Sequence, residues 1–351
     1  MQATTPFTAA LGIEHPIIQA PMAGGATTPE LVAAVSNAGA LGSFAAAILA
    51  PSAIADAVGR IRALTDRPFN VNLFVLDTPA VSAAQLARAH ALLDPLRAEL
   101  GLPPGNTPAR FCEDPQTQLE ATLQLAPPVV SFTFGILDTA TVARFHRAGS
   151  KVIGTATTVA EALAWEAAGA DYVCAQGYEA GGHRGTFLGD MEQSGIGLMA
   201  LLPQIARAVR IPVIAAGGIM DGRAIAASLL LGAQAAQLGT AFLCCPESGI
   251  PEVWKDAVRT AHDDGTRLTR AFSGRHARGV VNAYMEKLRG VESELPPYPV
   301  QNALTGELRQ AAARQGRADY MSLWAGQGAG MARTLPAAEL VRVLAAELTA
   351  A

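Results

Sequence analysis

Only four cysteines occur in 351 residues, and none stands in a Cys-x-x-Cys pair. Cys112, Cys174, Cys244 and Cys245 therefore imply neither a zinc site nor a disulfide framework, and a reducing cytoplasm is the expected compartment. The adjacent Cys244 and Cys245 read as packing groups. Aromatic residues are scarce at 5% and charged residues make up 16%. Lys and Arg number 26 against 30 Asp and Glu. The resulting net charge of −4 gives no cationic surface for nucleic acid or an anionic membrane. The opening MQATTPFTAALGIEHP lacks the positive region of a secretory signal. The uncharged stretch Leu31–Ala55 is broken by Ser36, Asn37, Gly39, Gly42, Ser43 and Pro51, so it reads as helix, turn and strand rather than a membrane span. P-loop, nucleophile-elbow, His-Glu-x-x-His and paired metal-ligand motifs are missing, so no metal is expected.

What is present is apolar and punctuated: half the residues are hydrophobic, with 34 Gly and 22 Pro. Strands are expected at Pro16–Ala20, Leu41–Phe44, Phe69–Leu73, Val129–Phe132, Lys151–Ala156, Asp171–Gln176, Pro212–Ala216 and Ala235–Leu238. Helical patterns lie between them at Pro29–Asn37, Pro51–Leu64, Ser82–Leu100, Thr139–Ala148, Val159–Ala168, Met199–Val209 and Gly222–Leu231. Several stop at a glycine, as at Gly39, Gly149, Gly169 and Gly232. This alternation predicts a parallel sheet covered on both faces. About eight units favour an α/β fold of the TIM (β/α)8 type. The missing Gly-x-Gly-x-x-Gly after the first strand argues against a dinucleotide-binding open sheet.

Two stretches break the rhythm. Leu76–Pro128 is expected to hold an added helix and a loop. Residues 246–308 read as a smaller, mainly helical substrate subdomain over the mouth of a barrel spanning 1–245, with SGRHARG as an exposed loop. Residues 309–351 then return to the barrel as a loop and closing helices.

In such a barrel the chemistry sits after the strands. AAGGIMDGR and QLGTAFL place Gly217, Gly218, Gly239 and Thr240 after the last two strands. There, backbone amides and a hydroxyl suit a phosphate, although such pairs also make plain β-to-α turns. Asn72 and Gln176 lie in or at the end of apolar strands. Their carboxamides fit the edge of a planar heterocycle such as a flavin, or simply neighbouring backbone. Met22 and the backbone of Ala20 and Met22 are candidates to support the same ring. His183, in GYEAGGHRG, is the one histidine of six in a glycine-rich strand-end context. It is placed to accept a carbon-bound proton or to hold an anion. Gly181 and Gly182 let the backbone pass close to a ring. Arg184 reads as an anion-binding group or a solvated loop charge, and Glu179 as a catalytic carboxylate or a loop brace.

Taken together, QAPMAGG, SNAGALGS, PFNVNLF, AQGYEAGGHRG, PVIAAGGIMDGR, LGAQAAQLGTAFLCCPES and WAGQGAG resemble the nitronate monooxygenases, formerly called 2-nitropropane dioxygenases. EAGGHRG joined to QLGTAF and WAGQGA points to the class I, bacterial-type branch. The resemblance implies a TIM barrel with non-covalent FMN, a helical substrate subdomain, and O2-dependent denitrification of alkyl nitronates such as propionate 3-nitronate. It places flavin contacts on Ala20, Pro21, Met22, Asn72, Gln176, Gly181, Gly217, Gly218, Gln237, Leu238, Gly239 and Thr240, with Trp324, Gly326 and Gln327 near the ring. It also makes His183 catalytic and substrate-binding, and matches a substrate-binding tyrosine to Tyr298. Some relatives carry a second tyrosine and a lysine where this chain has Asn302 and Gly306, which bears on substrate preference.

On this reading His183 polarises the nitronate anion or takes the α-proton of a neutral nitroalkane, while the flavin carries the redox step. The partners are a small-molecule nitronate and O2, for a monomer or homodimer. Related FMN barrels with the same GGH loop instead use NADH to reduce enoyl-acyl-carrier-protein or quinones. A non-catalytic flavin-binding protein and a sugar-phosphate barrel are the remaining alternatives.

Overall fold

Short β-branched runs become strands where both faces are covered, and the Ala- and Leu-rich runs become the helices that cover them. The computed structural model describes residues 4–191 and 193–351. In chain order its first part comprises α1 (Pro6–Leu11), β1 (Ile17–Gln19), α2 (Pro29–Asn37), β2 (Gly42–Ala45), α3 (Pro51–Leu64), β3 (Phe69–Phe74), α4 (Ala83–Ala98), α5 (Pro115–Leu125) and β4 (Val129–Thr133). Then come α6 (Thr139–Arg147), β5 (Lys151–Ala156), α7 (Val159–Ala168), β6 (Tyr172–Gln176), β7 (Gly182–His183), α8 (Leu198–Ala208), β8 (Val213–Ala216), α9 (Gly222–Leu230), β9 (Ala235–Leu238) and α10 (Thr240–Leu243). The last part holds α11 (Glu252–Arg259), β10 (Thr266–Thr269), β11 (Ala277–Val280), α12 (Ala283–Lys287), α13 (Val300–Leu304), α14 (Gly306–Arg314) and α15 (Ala337–Ala350).

Eight strands pair in parallel in the order β1-β9-β8-β6-β5-β4-β3-β2. The ring closes between β1 and β2. There the Leu41 amide donates to the Ile17 carbonyl at 3.0 Å, and the Gln19 amide donates to the Leu41 carbonyl at 3.0 Å. This is the expected TIM barrel. Its strands and helices start and stop close to the positions read from the sequence, because each boundary carries a local signal. Thr28, Asp138, Thr158 and Asp221 cap the amides of α2, α6, α7 and α9 with their side-chain oxygens. Gly169 ends α7 in the left-handed conformation at φ +95°.

The departures lie where the rhythm breaks. Between β3 and β4 stand two helices, α4 and α5, where an added helix was expected. α5 packs on α3 and β3 as the barrel's own covering helix. α4 instead sends Ala89, Leu93 and Leu96 into a second apolar cluster with Leu288, Leu295 and Val300, above the barrel mouth. After β9 the helix α10 is only one turn long, and the chain leaves the barrel. α15 returns to pack on α9 and α2, filling the eighth place in the helical ring. The covering layer is also not helical alone: β10, β11 and β7 form a three-stranded antiparallel sheet. SGRHARG is accordingly not an exposed loop. Ser273 is 1% and Arg278 3% exposed, because β11 lies between β10 and the two-residue strand of the barrel loop. Among the described residues no helix is long and apolar enough to cross a membrane.

Candidate active site

A cavity of about 640 Å³ opens at the C-terminal ends of the barrel strands, beneath the covering layer. That is within the usual range for a small-molecule site. Of the residues singled out from the sequence, Ala20, Pro21, Met22, Asn72, Gln176, Gly181, Gly182, His183, Gly217, Gly218, Gln237, Gly239, Thr240, Tyr298, Trp324 and Gly326 all line it. Leu238 and Gln327 stand away from this wall. Strand alternation turns Leu238 into the apolar core, where it is 1% exposed. Gln327 is exposed, and only its backbone amide reaches the site loops, donating to the Glu179 carbonyl at 3.0 Å.

His183 is held from both layers. Its backbone pairs with Ala277 of β11, and its Nε2 lies 2.8 Å from the Ser273 hydroxyl oxygen. Ser273 donates its one hydrogen to the Arg275 carbonyl at 3.1 Å. With that hydrogen on the carbonyl, Nε2 is assigned as the donor to Ser273 and Nδ1 as the unprotonated nitrogen of the ring. Phe134, Tyr298 and Trp324 surround the imidazole at centroid distances of 5.5, 5.6 and 5.5 Å. Burial, then the Arg275 and Arg309 guanidiniums, push its pKa down to about 3. The site therefore presents a neutral imidazole.

The loop carrying His183 is braced by groups whose roles the sequence left open, and by Glu161, which no motif singled out. Gln176 donates to the His183 carbonyl at 3.0 Å and accepts from the Gly185 amide at 2.8 Å. Arg184 is neither a solvated charge nor a cavity-lining group. It is 1% exposed and donates to the carbonyls of Gln176, Gly177 and Ser194 at 3.0, 2.6 and 3.1 Å. Glu179 is a brace, accepting from the Leu198 amide at 2.9 Å at the start of α8. Glu161, fully buried, takes the Thr157 amide and hydroxyl at 2.6 and 2.7 Å and the Leu188 amide at 2.8 Å. Asn72 donates to the Ser131 hydroxyl at 2.9 Å, which fixes its carboxamide at the cavity floor.

Opposite demands shape the glycines. A Cβ on Gly181 would stand 2.5 Å from the Gly326 amide nitrogen, so the histidine loop and the C-terminal loop approach backbone to backbone. Gly217 and Gly218 turn with φ of +124° and +69°. The amides of Gly217, Gly218, Gly239 and Thr240 meet no backbone carbonyl among the described residues. Unspent amides of this kind, lining one cavity, are of the type that can hold an anion. No cluster of three His, Cys, Asp or Glu side chains suited to a metal occurs among the described residues.

The family model for nitronate monooxygenase matches residues 4–347. The chain belongs to the nitronate monooxygenase family. It is an oxidoreductase. A probable nitronate monooxygenase of Staphylococcus aureus (strain Newman) is 43% identical over 334 residues, covering 94% of this chain and 93% of the relative. The crystal structure of a nitroalkane oxidase from Streptomyces ansochromogenes superposes with a TM-score of 0.90 at 47% identity, covering 98% of each chain. FabK from Thermotoga maritima superposes with a TM-score of 0.77 at 31% identity, covering 99% of this chain and 96% of its own.

This nitronate monooxygenase family member also uses residues that sequence reasoning passed over. Phe134 borders the cavity with φ +80°, a conformation rare for a bulky residue, its ring between His183 and the Arg275 guanidinium. Nothing in SFTFG announces that. Ser273, in SGRHARG, and Arg309, on α14, reach the imidazole's surroundings from two places outside the β/α repeat. An apolar run ending in a carboxamide or glycine was a legible signal; a single polar side chain on the covering layer was not.

Proposed function

We propose that the chain is an FMN-dependent nitronate monooxygenase, converting alkyl nitronates such as propionate 3-nitronate with O2 to a carbonyl compound and nitrite. The observation carrying this reading is a neutral His183 in the same cavity as four unspent amides. The donor set fits FMN. Gly217, Gly218, Gly239 and Thr240 would hold the phosphate, and Asn72, Gln176, Met22, Gly181 and Trp324 would border the ring. When bound, the flavin supplies the electron acceptor and the reaction with O2.

The chain's own residues supply the rest. His183 Nδ1 removes the α-proton when a neutral nitroalkane is offered and, once it carries that proton, donates a hydrogen bond to the nitronate so formed. Ser273 keeps the ring in the tautomer that leaves Nδ1 free. Phe134, Tyr298 and Trp324 pack around it. We assign flavin binding to the barrel, residues 1–245, and substrate enclosure to 246–308, with 309–351 returning the C-terminal loop to the site. The enzyme would act in the cytoplasm, as a monomer or homodimer.

Anaerobic mixing of the flavin-loaded protein with propionate 3-nitronate tests the reading. The expected result is loss or shift of the flavin absorbance with nitronate and none with NADH. Rapid bleaching by NADH alone would transfer the chain to the reductases.

A further inference from the structure

One cation in the cavity wall has no acid to answer it. Arg309, on α14, lines the cavity beside Tyr298 and Gly306. Its Nη2 donates to the Asn302 carbonyl at 2.8 Å and to the Asn302 side-chain oxygen at 2.9 Å. Its Nε is buried without an acceptor. Nη1 has no protein acceptor, and no carboxylate pairs with this guanidinium among the described residues. The acid on the same helix, Glu307, is spent on Arg97 at 2.6 Å. Arg275, the other guanidinium near His183, is taken up by the carbonyls of Arg184 and Thr186.

A desolvated cation without a counter-charge is costly unless an anion joins it. A guanidinium N–H donates a strong, charge-assisted hydrogen bond to a carboxylate, and with Nη2 held by Asn302 the group left to make it is Nη1. A Cβ on Gly306 would meet nothing within 4 Å, so no side chain at that position competes for the space. The four-amide nest already provides for a phosphate elsewhere in the cavity, leaving Arg309 for a different anion.

We propose that Arg309 is the specificity-determining residue of this site, binding a carboxylate that the substrate carries apart from its nitronate group. Asn302 aims the guanidinium, a role compatible with the absence of a second tyrosine and a lysine at positions 302 and 306. The inference rests on the nitronate reading above.

The test compares kcat/KM for propionate 3-nitronate with that for ethyl nitronate, which has no charged tail, in wild type, Arg309→Lys and Arg309→Gln. The ratio of the two should fall by about 10–100-fold in Arg309→Gln, chiefly through KM, and by less in Arg309→Lys. Equal losses on both substrates would overturn the proposal and leave Arg309 a structural support. An unchanged ratio would overturn it too. Calorimetric titration with succinate separates this from the nitronate reading itself. Succinate should bind the wild-type holoenzyme and lose affinity by a similar factor in Arg309→Gln. If wild type turns over neither nitronate, the proposed function fails while Arg309-dependent succinate binding still marks an anion subsite. Succinate binding that ignores Arg309, or no binding at all, sinks the subsite.

Discussion

The Ser273 hydroxyl oxygen lies 2.8 Å from Nε2 of His183 and joins the covering layer to the barrel at the basic side chain of the cavity. Ninety residues of sequence separate the two. Ser273→Ala should leave the ring in place through its three aromatic neighbours but free its tautomer. The expected loss in kcat/KM on neutral nitroalkanes is about 2–10-fold, the worth of one hydrogen bond. Steady-state kinetics on nitroethane would show it, and wild-type activity would remove Ser273 from the mechanism.

Removing the imidazole goes further. His183→Asn keeps hydrogen-bonding capacity but cannot take a proton. Activity on neutral nitroalkanes should fall by about 10²–10⁴-fold, the range of general acid–base catalysis. Preformed nitronates should lose less, because their proton is already gone. Equal losses on both would mean that His183 only holds the anion.

The same imidazole links stability to acid. In the folded chain its pKa lies at about 3, against an ordinary value of 6.5 for an exposed histidine. Above pH 6.5 both folded and unfolded forms leave the ring neutral, so it adds no pH dependence there. Below pH 6.5 the unfolded chain gains a proton that the folded chain refuses, and stability falls until pH approaches 3. Urea unfolding at about pH 7, 5.5 and 4.5 should therefore show a steeper acid loss for wild type than for His183→Asn. Parallel losses would mean that the site tolerates an imidazolium.

Gly218→Asp addresses the anion nest. Its φ of +69° disfavours any side chain, and the new Cβ would stand 3.2 Å from Cβ of Glu179. The added carboxylate also repels a phosphate. Flavin content after purification should drop at least about tenfold, a cost on the scale of one misplaced charge. Retention equal to wild type would move the phosphate away from this turn.

Glu161→Ala would leave the amides of Thr157, Phe187 and Leu188 without their buried acceptor. The expected destabilisation is about 3–5 kcal/mol, as for other broken buried charged networks. Hydrogen exchange should quicken first around residues 185–188, the stretch that follows His183. A variant as stable as wild type, with that stretch still protected, would show that the loop is held by Arg184 and Gln176 instead.

Much of the barrel was legible one residue at a time. In PVIAAGG the apolar run, the glycine pair and the following DGR specify strand, turn and capped helix by local rules, and Asp221 does cap α9. The cavity residues at strand ends were legible for the same reason, since the chain direction of a parallel barrel puts them all at one rim. Leu238 is the instructive exception. Its place in QLGT groups it with the cavity residues, yet the two-residue period of a strand turns it to the opposite side from Gln237 and Gly239.

The sequence by itself determined the repeat, the fold class and the glycine-rich strand ends, because each depends on contacts between near neighbours and on a period of about 2 or 3.6 residues. Only the tertiary structure decided what surrounds His183. Phe134, the Ser273–Arg275 segment and Arg309 come from separate places in the chain, and burial of their charges and rings depends on a covering layer folded back over the barrel. Arg184 shows the difference most plainly. In sequence it is one charge in a glycine-rich loop, but in the fold it is a buried fork holding three backbone carbonyls. Whether a charge meets water, an anion or a carbonyl is settled by which distant segments close around it, and no local pattern carries that.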